Sequence, residues 1–168
     1  MRIRPEKNGD RNKTREINVA AFETDAEAKL VDALRERCTS YISLVAEVAG
    51  ELVGHILFTP VELVDDSSSF KLMGLGPMAV MPKYQNKGIG SQLVKEGLEH
   101  CLRQGYDAVV VLGHPAYYPR FGFVPSVEYG ITSEYDVPDE VFMVRELKTN
   151  VLKGRSGVVK YHPAFNAL

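Results

Sequence analysis

The segment Ile89 to Gln104 reads as an amphipathic helix between two strand-like runs, and this arrangement restricts the fold more than any other feature of the chain. Ile89, Leu93, Val94, Gly97, Leu98, Cys101 and Leu102 recur at helical spacing on one face, and Gln92, Lys95, Glu96, Glu99, His100 and Arg103 take the other. Gly105 stands where a helix can end on a left-handed residue. Upstream, Phe70 to Met81 is an extended apolar run broken by Gly74, Gly76 and Pro77, residues that weaken or interrupt a regular ladder. Downstream, Ala108-Val109-Val110-Val111-Leu112 reads as a buried strand. Strand, helix, strand in this order predicts a right-handed crossover between parallel strands. The core is therefore α/β or α+β with at least one parallel pair.

The N-terminal third sets two helices before two strands. The first helix is predicted from near Thr14 to Phe22, and Thr24-Asp25-Ala26-Glu27 has the spacing of a capping box opening a second, whose apolar stripe is Ala28, Val31, Leu34 and Cys38. Ser43 to Val48 and Leu52 to Phe58 are rich in strand formers and flank Ala49-Gly50-Glu51, a turn of hairpin length. Asp65-Asp66-Ser67-Ser68-Ser69 reads as a hairpin loop, too short for an interdomain linker. A short aromatic segment, Ala116 to Phe121, precedes strand candidates near Phe123, Val141 to Glu146 and Gly157 to Tyr161.

With 168 residues the chain can bury roughly 70% of its unfolded surface, so one domain over residues 1–168 is expected without disulfide or metal staples. Twenty Lys and Arg against 22 Asp and Glu give a net charge of -2, which argues against nucleic-acid and anionic-membrane partners. The charged start Met1-Arg2-Ile3-Arg4-Pro5-Glu6-Lys7 lacks the apolar run of a secretory signal, so a cytoplasmic location is expected. Cys38 and Cys101 fall at apolar helical positions and are expected as buried thiols. The four histidines are scattered and there is no CxxC or HExxH, so no metal site is expected.

The chemistry concentrates at the joint from Met78 to Ser91, where a strand ends, a Pro-bounded turn follows and a glycine-containing helix begins. Helix N-termini offer free N–H groups and a partial positive charge, and glycines admit a ligand close to the backbone. Gly88 and Gly90 are also compatible with a tight turn and close helix packing. No G-x-x-x-x-G-K-[ST] sequence occurs, nor G-x-G-x-x-G with an acidic residue on the next strand, so neither an NTPase nor a dinucleotide enzyme fits.

Gln85-x-x-Gly88-x-Gly90, preceded by Ala79-Val80-Met81-Pro82 and followed by Leu93, resembles the acyl-CoA pyrophosphate motif of the GNAT superfamily of N-acetyltransferases. Tyr118-Pro119-Arg120-Phe121-Gly122-Phe123 is similar to the Tyr-x-Lys/Arg-x-Gly-Phe segment that follows the next strand in those enzymes. More narrowly, Phe22 with Glu27 to Leu34, Leu52 to Phe58, and Pro115-Ala116-Tyr117-Tyr118 look like the bacterial YhbS-type acetyltransferases. The resemblance covers most of residues 1–125. It implies a mixed, mostly antiparallel central sheet with a splayed parallel strand pair and flanking helices, acetyl-CoA as cosubstrate and an amine as acceptor. One departure stands out: where the family often carries an Asn just after the second core strand, this chain has Gly113-His114-Pro115.

What the resemblance implies can be carried residue by residue. Backbone groups of Gln85, Asn86, Lys87, Gly88, Ile89, Gly90 and Ser91 would hold the pyrophosphate, with Lys87 adding charge. Met78, Ala79 and Val80 would pair with the pantetheine arm as an added strand, and Gly76-Pro77 is a candidate cause of the strand divergence this requires, or else a simple bulge. Tyr118 takes the position of the usual general acid, while Arg120 braces its loop or touches a CoA phosphate. The amine needs a base or an ordered-water relay that the sequence does not identify, with Glu47, His55 and Glu62 as side-chain candidates and Glu23 and Glu27 as candidate selectors of a cationic acceptor. A non-catalytic acyl-CoA-binding sensor of the same fold is the alternative, and a homodimer stays open.

Overall fold

The structure is a computed structural model that describes residues 1–64, 66 and 70–168. Its strands are β1 (Arg2–Pro5), β2 (Ile42–Val48), β3 (Glu51–Leu63), β4 (Leu72–Val80), β5 (Ala108–Leu112), β6 (Val124–Pro125), β7 (Ile131–Ser133), β8 (Phe142–Glu146) and β9 (Gly157–Lys160). Its helices are α1 (Arg11–Phe22), α2 (Ala26–Arg37) and α3 (Ile89–Arg103). The fold is mixed α/β: a mostly antiparallel sheet with the parallel pair β4–β5 and flanking helices. The chain divides into two compact units. One holds residues 1–59, 76–97 and 163–168, and the other residues 60–75 and 98–162.

In the first unit the strand order is β1-β2-β3-β4. The β2–β3 hairpin pairs Val48 with Glu51 across Ala49-Gly50, both at positive φ, as the favoured two-residue turns require. Helix α2 buries Leu30, Val31 and Leu34 against Leu57 and Ala164. Ile17 of α1 packs with Val45, Leu52 and Ala79, which draws the Ala79 side chain into the core. Close contact with α3 depends on Gly97, because a Cβ there would lie 2.3 Å from Cε2 of Phe58.

In the second unit β4 and β5 run parallel from Leu72↔Ala108 to Leu75↔Val111, β8 pairs with β5, and β6 pairs with β8. The register of the parallel pair covers four residues and stops just before Gly76, which carries a φ of 132° ahead of the cis Gly76–Pro77 peptide. Strand β9 pairs with the end of β3 and, in parallel, with β7. Leu63, Leu72, Ala108, Val110, Ile131, Phe142, Val144, Leu152 and Val159 form this unit's core.

Several expectations need correction. Helix α1 starts at Arg11, since a 3-10 turn at Asn8–Asp10 runs directly into it. The capping box at Thr24 is not formed as such: Asp25 is the residue before α2, and the Thr24 hydroxyl meets Glu27 and the Ala26 N–H. Leu102, placed on the apolar face of α3, is 45% exposed. Cys38 is only half-buried, because the chain turns extended there after α2, whereas Cys101 is buried as expected. Strand β7 was not foreseen, being too short to show a period. Gly105 does end α3, its N–H donating to Leu102 and that of Tyr106 to Cys101, the paired bonds of a Schellman motif. The Asp65–Ser69 loop lies largely outside the described residues.

Candidate active site

The joint between β4 and α3 lies in the first unit. Pro82 opens a 3-10 turn, Pro82–Tyr84, and Asn86 and Gly88 then take φ of 62° and 85° before α3 begins. The first helical bond runs from the Gln92 N–H to the Gly88 carbonyl, 3.1 Å, so the N–H groups of Ile89 and Gly90 have no acceptor inside the helix. Gln85, Asn86, Lys87 and Gly88 are exposed, Gly90 and Ser91 are half-buried, and Ile89 anchors the turn in the core. These are the attributes of an anion-binding helix start: amides without an acceptor inside the helix, a positive dipole end and no side chain at Gly88.

A contact absent from the sequence reading holds this loop in place. The Gln85 amide donates to the Val80 carbonyl over 2.9 Å, tying the loop back to the last residue of β4. Lys83 and Lys87 hold their Nζ atoms 5.3 and 5.6 Å from the Tyr84 ring centroid, which keeps cationic charge beside the loop. Met78 and Val80 are half-buried while Ala79 points inward, so Ala79 can reach a ligand only through its backbone.

Tyr118 lies in the second unit, in the 3-10 turn Tyr118–Phe121 that follows β5. It is 9% exposed, and its ring meets those of Tyr117 at 5.0 Å, Phe123 at 5.7 Å and Phe121 at 6.4 Å. Burial, with a smaller contribution from Tyr117, pushes the phenol up to about 12, so it is protonated at neutral pH and keeps a proton to donate. Arg120 lies 4.7 Å over the Tyr117 ring and its Nε donates to the Tyr117 carbonyl, which makes it a brace of the loop.

The candidate bases are placed less favourably. His55 is wholly buried in the first unit, with Nδ1 3.2 Å from the Asn18 amide nitrogen and Nε2 2.8 Å from the Ser43 hydroxyl. Ser43 donates to the Glu6 carboxylate, so it must accept from His55 Nε2–H, while Nδ1 accepts from Asn18. Burial, outweighing the nearby Glu6 carboxylate, lowers His55 to about 4. Such a ring has no free nitrogen for an incoming amine. Glu47 is paired with Arg4 at 2.6 Å, and Glu62 is exposed where β3 meets β9. Among the described residues no group of His, Cys, Asp or Glu is arranged to hold a metal ion, and no helix is long and apolar enough to cross a membrane.

The site thus sits in a mixed sheet with a parallel pair, whose β4 runs into a glycine-containing loop and a long helix. The chain belongs to the GNAT acetyltransferase family, whose acetyltransferase (GNAT) domain matches residues 2–126. It is 40% identical over 147 residues to the uncharacterised N-acetyltransferase YhbS of Escherichia coli K12, covering 87% of each chain. The crystal structure of Escherichia coli YhbS in complex with CoA superposes with a TM-score of 0.91 at 38% identity, covering 98% of this chain and 91% of that one. A GNAT acetyltransferase from Brucella melitensis in complex with acetyl-CoA gives a TM-score of 0.79 at 34% identity, over 98% and 97% of the two chains.

Proposed function

We propose that residues 1–168 form a single cytoplasmic acetyltransferase domain that moves an acetyl group from acetyl-CoA to a primary amine of a small molecule, peptide or protein by direct attack. The observation that carries this reading is the Gln85–Gly90 loop, with positive φ at Asn86 and Gly88 and the Ile89 and Gly90 N–H groups left without an acceptor inside the helix, in a chain whose relatives are captured with CoA and acetyl-CoA. A single domain is supported by the chain passing between its two compact units through β3, β4 and α3.

Each part of the donor then has a partner in this reading. The amides from Asn86 to Ser91 hold the pyrophosphate, that of Gln85 already donating to the Pro82 carbonyl, and Met78, Ala79 and Val80 offer strand-edge backbone groups to the pantetheine arm. The amine nitrogen attacks the thioester carbonyl, a backbone N–H on the distorted β4 steadies the oxyanion, and the C–S bond breaks. Tyr118 donates to the departing thiolate, and the proton lost by the amine leaves through ordered water. Neither nucleic acid nor membrane enters the scheme. The second reading, a non-catalytic acyl-CoA sensor, predicts binding without turnover.

The test joins binding to chemistry. Acetyl-CoA at 100 times its Kd should raise stability by about 2.7 kcal/mol, and incubation with a panel of primary amines should release free CoA thiol. Gly88→Glu should abolish the thermal shift, because it puts a carboxylate and a strained φ at the pyrophosphate position. A full shift in a folded Gly88→Glu variant sinks the loop assignment. Binding without thiol release across the panel favours the sensor, and sedimentation of the same samples separates monomer from homodimer.

A further inference from the structure

The Tyr118 ring lies directly on the backbone of Gly113, the first residue after β5. A Cβ built on Gly113 would stand 2.4 Å from Cε2 of Tyr118, 3.0 Å from Cδ2 and 3.4 Å from Cζ. Carbon atoms in contact sit about 3.5–4.0 Å apart, so a methyl group and the ring cannot share this place. Neither side yields easily. The Gly113 N–H donates to the Val141 carbonyl over 2.9 Å, which fixes the end of β5 against the residue that leads into β8. The ring is held on its other sides by Tyr117, Phe121 and Phe123, the last two 5% and 2% exposed. The link between seat and ring is short and folded back on itself, with the His114 carbonyl accepting from the N–H groups of both Tyr117 and Tyr118.

We propose that Gly113 is the positioning residue for the Tyr118 phenol: by carrying no side chain it seats the ring on the end of β5, and any side chain there displaces the hydroxyl. This rests on the reading of Tyr118 as the proton donor. Gly113 does not adopt a left-handed φ, so its backbone accepts alanine and the ring contact alone opposes the substitution. A displaced donor costs turnover but not cofactor affinity, because the pyrophosphate and pantetheine contacts are assigned to other residues.

The experiment is a double-mutant cycle read in two ways. In turnover, Gly113→Ala should lose the same ~10²-fold as Tyr118→Phe with KM for acetyl-CoA within about threefold, and the double variant should lose no more than either single one. In stability, Gly113→Ala should lower Tm by several degrees in the wild-type background and leave it unchanged or raised in a Tyr118→Ala background, where the ring is gone. The stability arm also covers a Gly113→Ala variant that fails to fold, since recovery of folding in the Tyr118→Ala background supports the seat. An equal cost in both backgrounds overturns the proposal. So does a large loss in Tyr118→Phe beside full turnover in Gly113→Ala, or losses that multiply, and in those cases the reading of Tyr118 stands. Wild-type turnover in Tyr118→Phe overturns that reading and the proposal together.

Discussion

Tyr118 faces two opposed requirements at the scale of a single residue. The packing that fixes its ring also strips water from the phenol and pushes it up to about 12. A thiol titrates near 8.5, so complete transfer of the proton to a thiolate is uphill by roughly 3.5 pKa units. Tyr118 therefore serves better as a hydrogen-bond donor to a developing charge than as a strong acid. Tyr118→Phe should lower turnover by about 10²-fold, the low end for a lost general acid, with the Kd for acetyl-CoA unchanged. Stopped thiol-release assays and calorimetric titration check the two halves, and undiminished turnover would hand protonation to water. The pH profile carries a second signature. A phenol near 12 stays protonated through pH 10, so no falling limb between pH 8 and 10 should disappear on Tyr118→Phe.

Helix α3 shows how an element can be stabilised by a residue that weakens it locally. Glycine inside a helix costs about 1 kcal/mol relative to alanine, yet Gly97 sits where a Cβ would come 2.3 and 2.5 Å from Cε2 and Cζ of Phe58. Phe58 is wholly buried, in an interior packed as densely as a crystal. Overpacking of this kind costs about 1–3 kcal/mol, so the clash outweighs the propensity gain. Gly97→Ala should lower Tm by about 2–4 °C per kcal/mol of net loss. In a Phe58→Leu background the same substitution should be neutral or stabilising. A rise in Tm for Gly97→Ala alone would mean that the helix and β3 are less tightly apposed than the structure indicates.

One buried network of the first unit is set to make the folded molecule respond to pH between neutrality and 4. Glu6 accepts from Arg35, Thr14 and Ser43, and Ser43 links it to His55. Burial works to raise the Glu6 carboxyl, but the Thr14 hydrogen bond, His55 and Arg35 outweigh it and hold the group below the usual carboxylate range. His55 is lowered to about 4 by burial. A depressed histidine favours the folded state while neutral, so its contribution is complete above the unfolded value of 6.5 and is lost as pH falls towards 4. Glu6 adds loss in the same direction below pH 4.5. Denaturant unfolding from pH 7.5 to 4 should show stability falling by up to about 1.4 kcal/mol per pH unit below 6.5. His55→Gln should flatten that slope, and an equal slope in the variant would place the titrating group elsewhere.

What the sequence determined by itself is what repeats at short range. The 3.6-residue stripe from Ile89 to Cys101, the apolar strand Ala108–Leu112 and the two strand-forming runs around Ala49-Gly50 are local patterns, and the structure has helix, strand and hairpin at those places. The joint at Gln85–Gly90 was legible for the same reason, since Pro, Asn and Gly report backbone geometry one residue at a time. Side-chain partnerships across the chain were not. Gln85 bonding to Val80, Gly97 meeting Phe58 and Gly113 seating Tyr118 each depend on how elements or turns close on one another. His55 looked like a candidate base in one dimension because nothing local says that Asn18, Ser43 and Glu6 will surround it. A period decides which face of an element is apolar; only tertiary packing decides which groups lose their water and therefore which titrate, donate or stay silent.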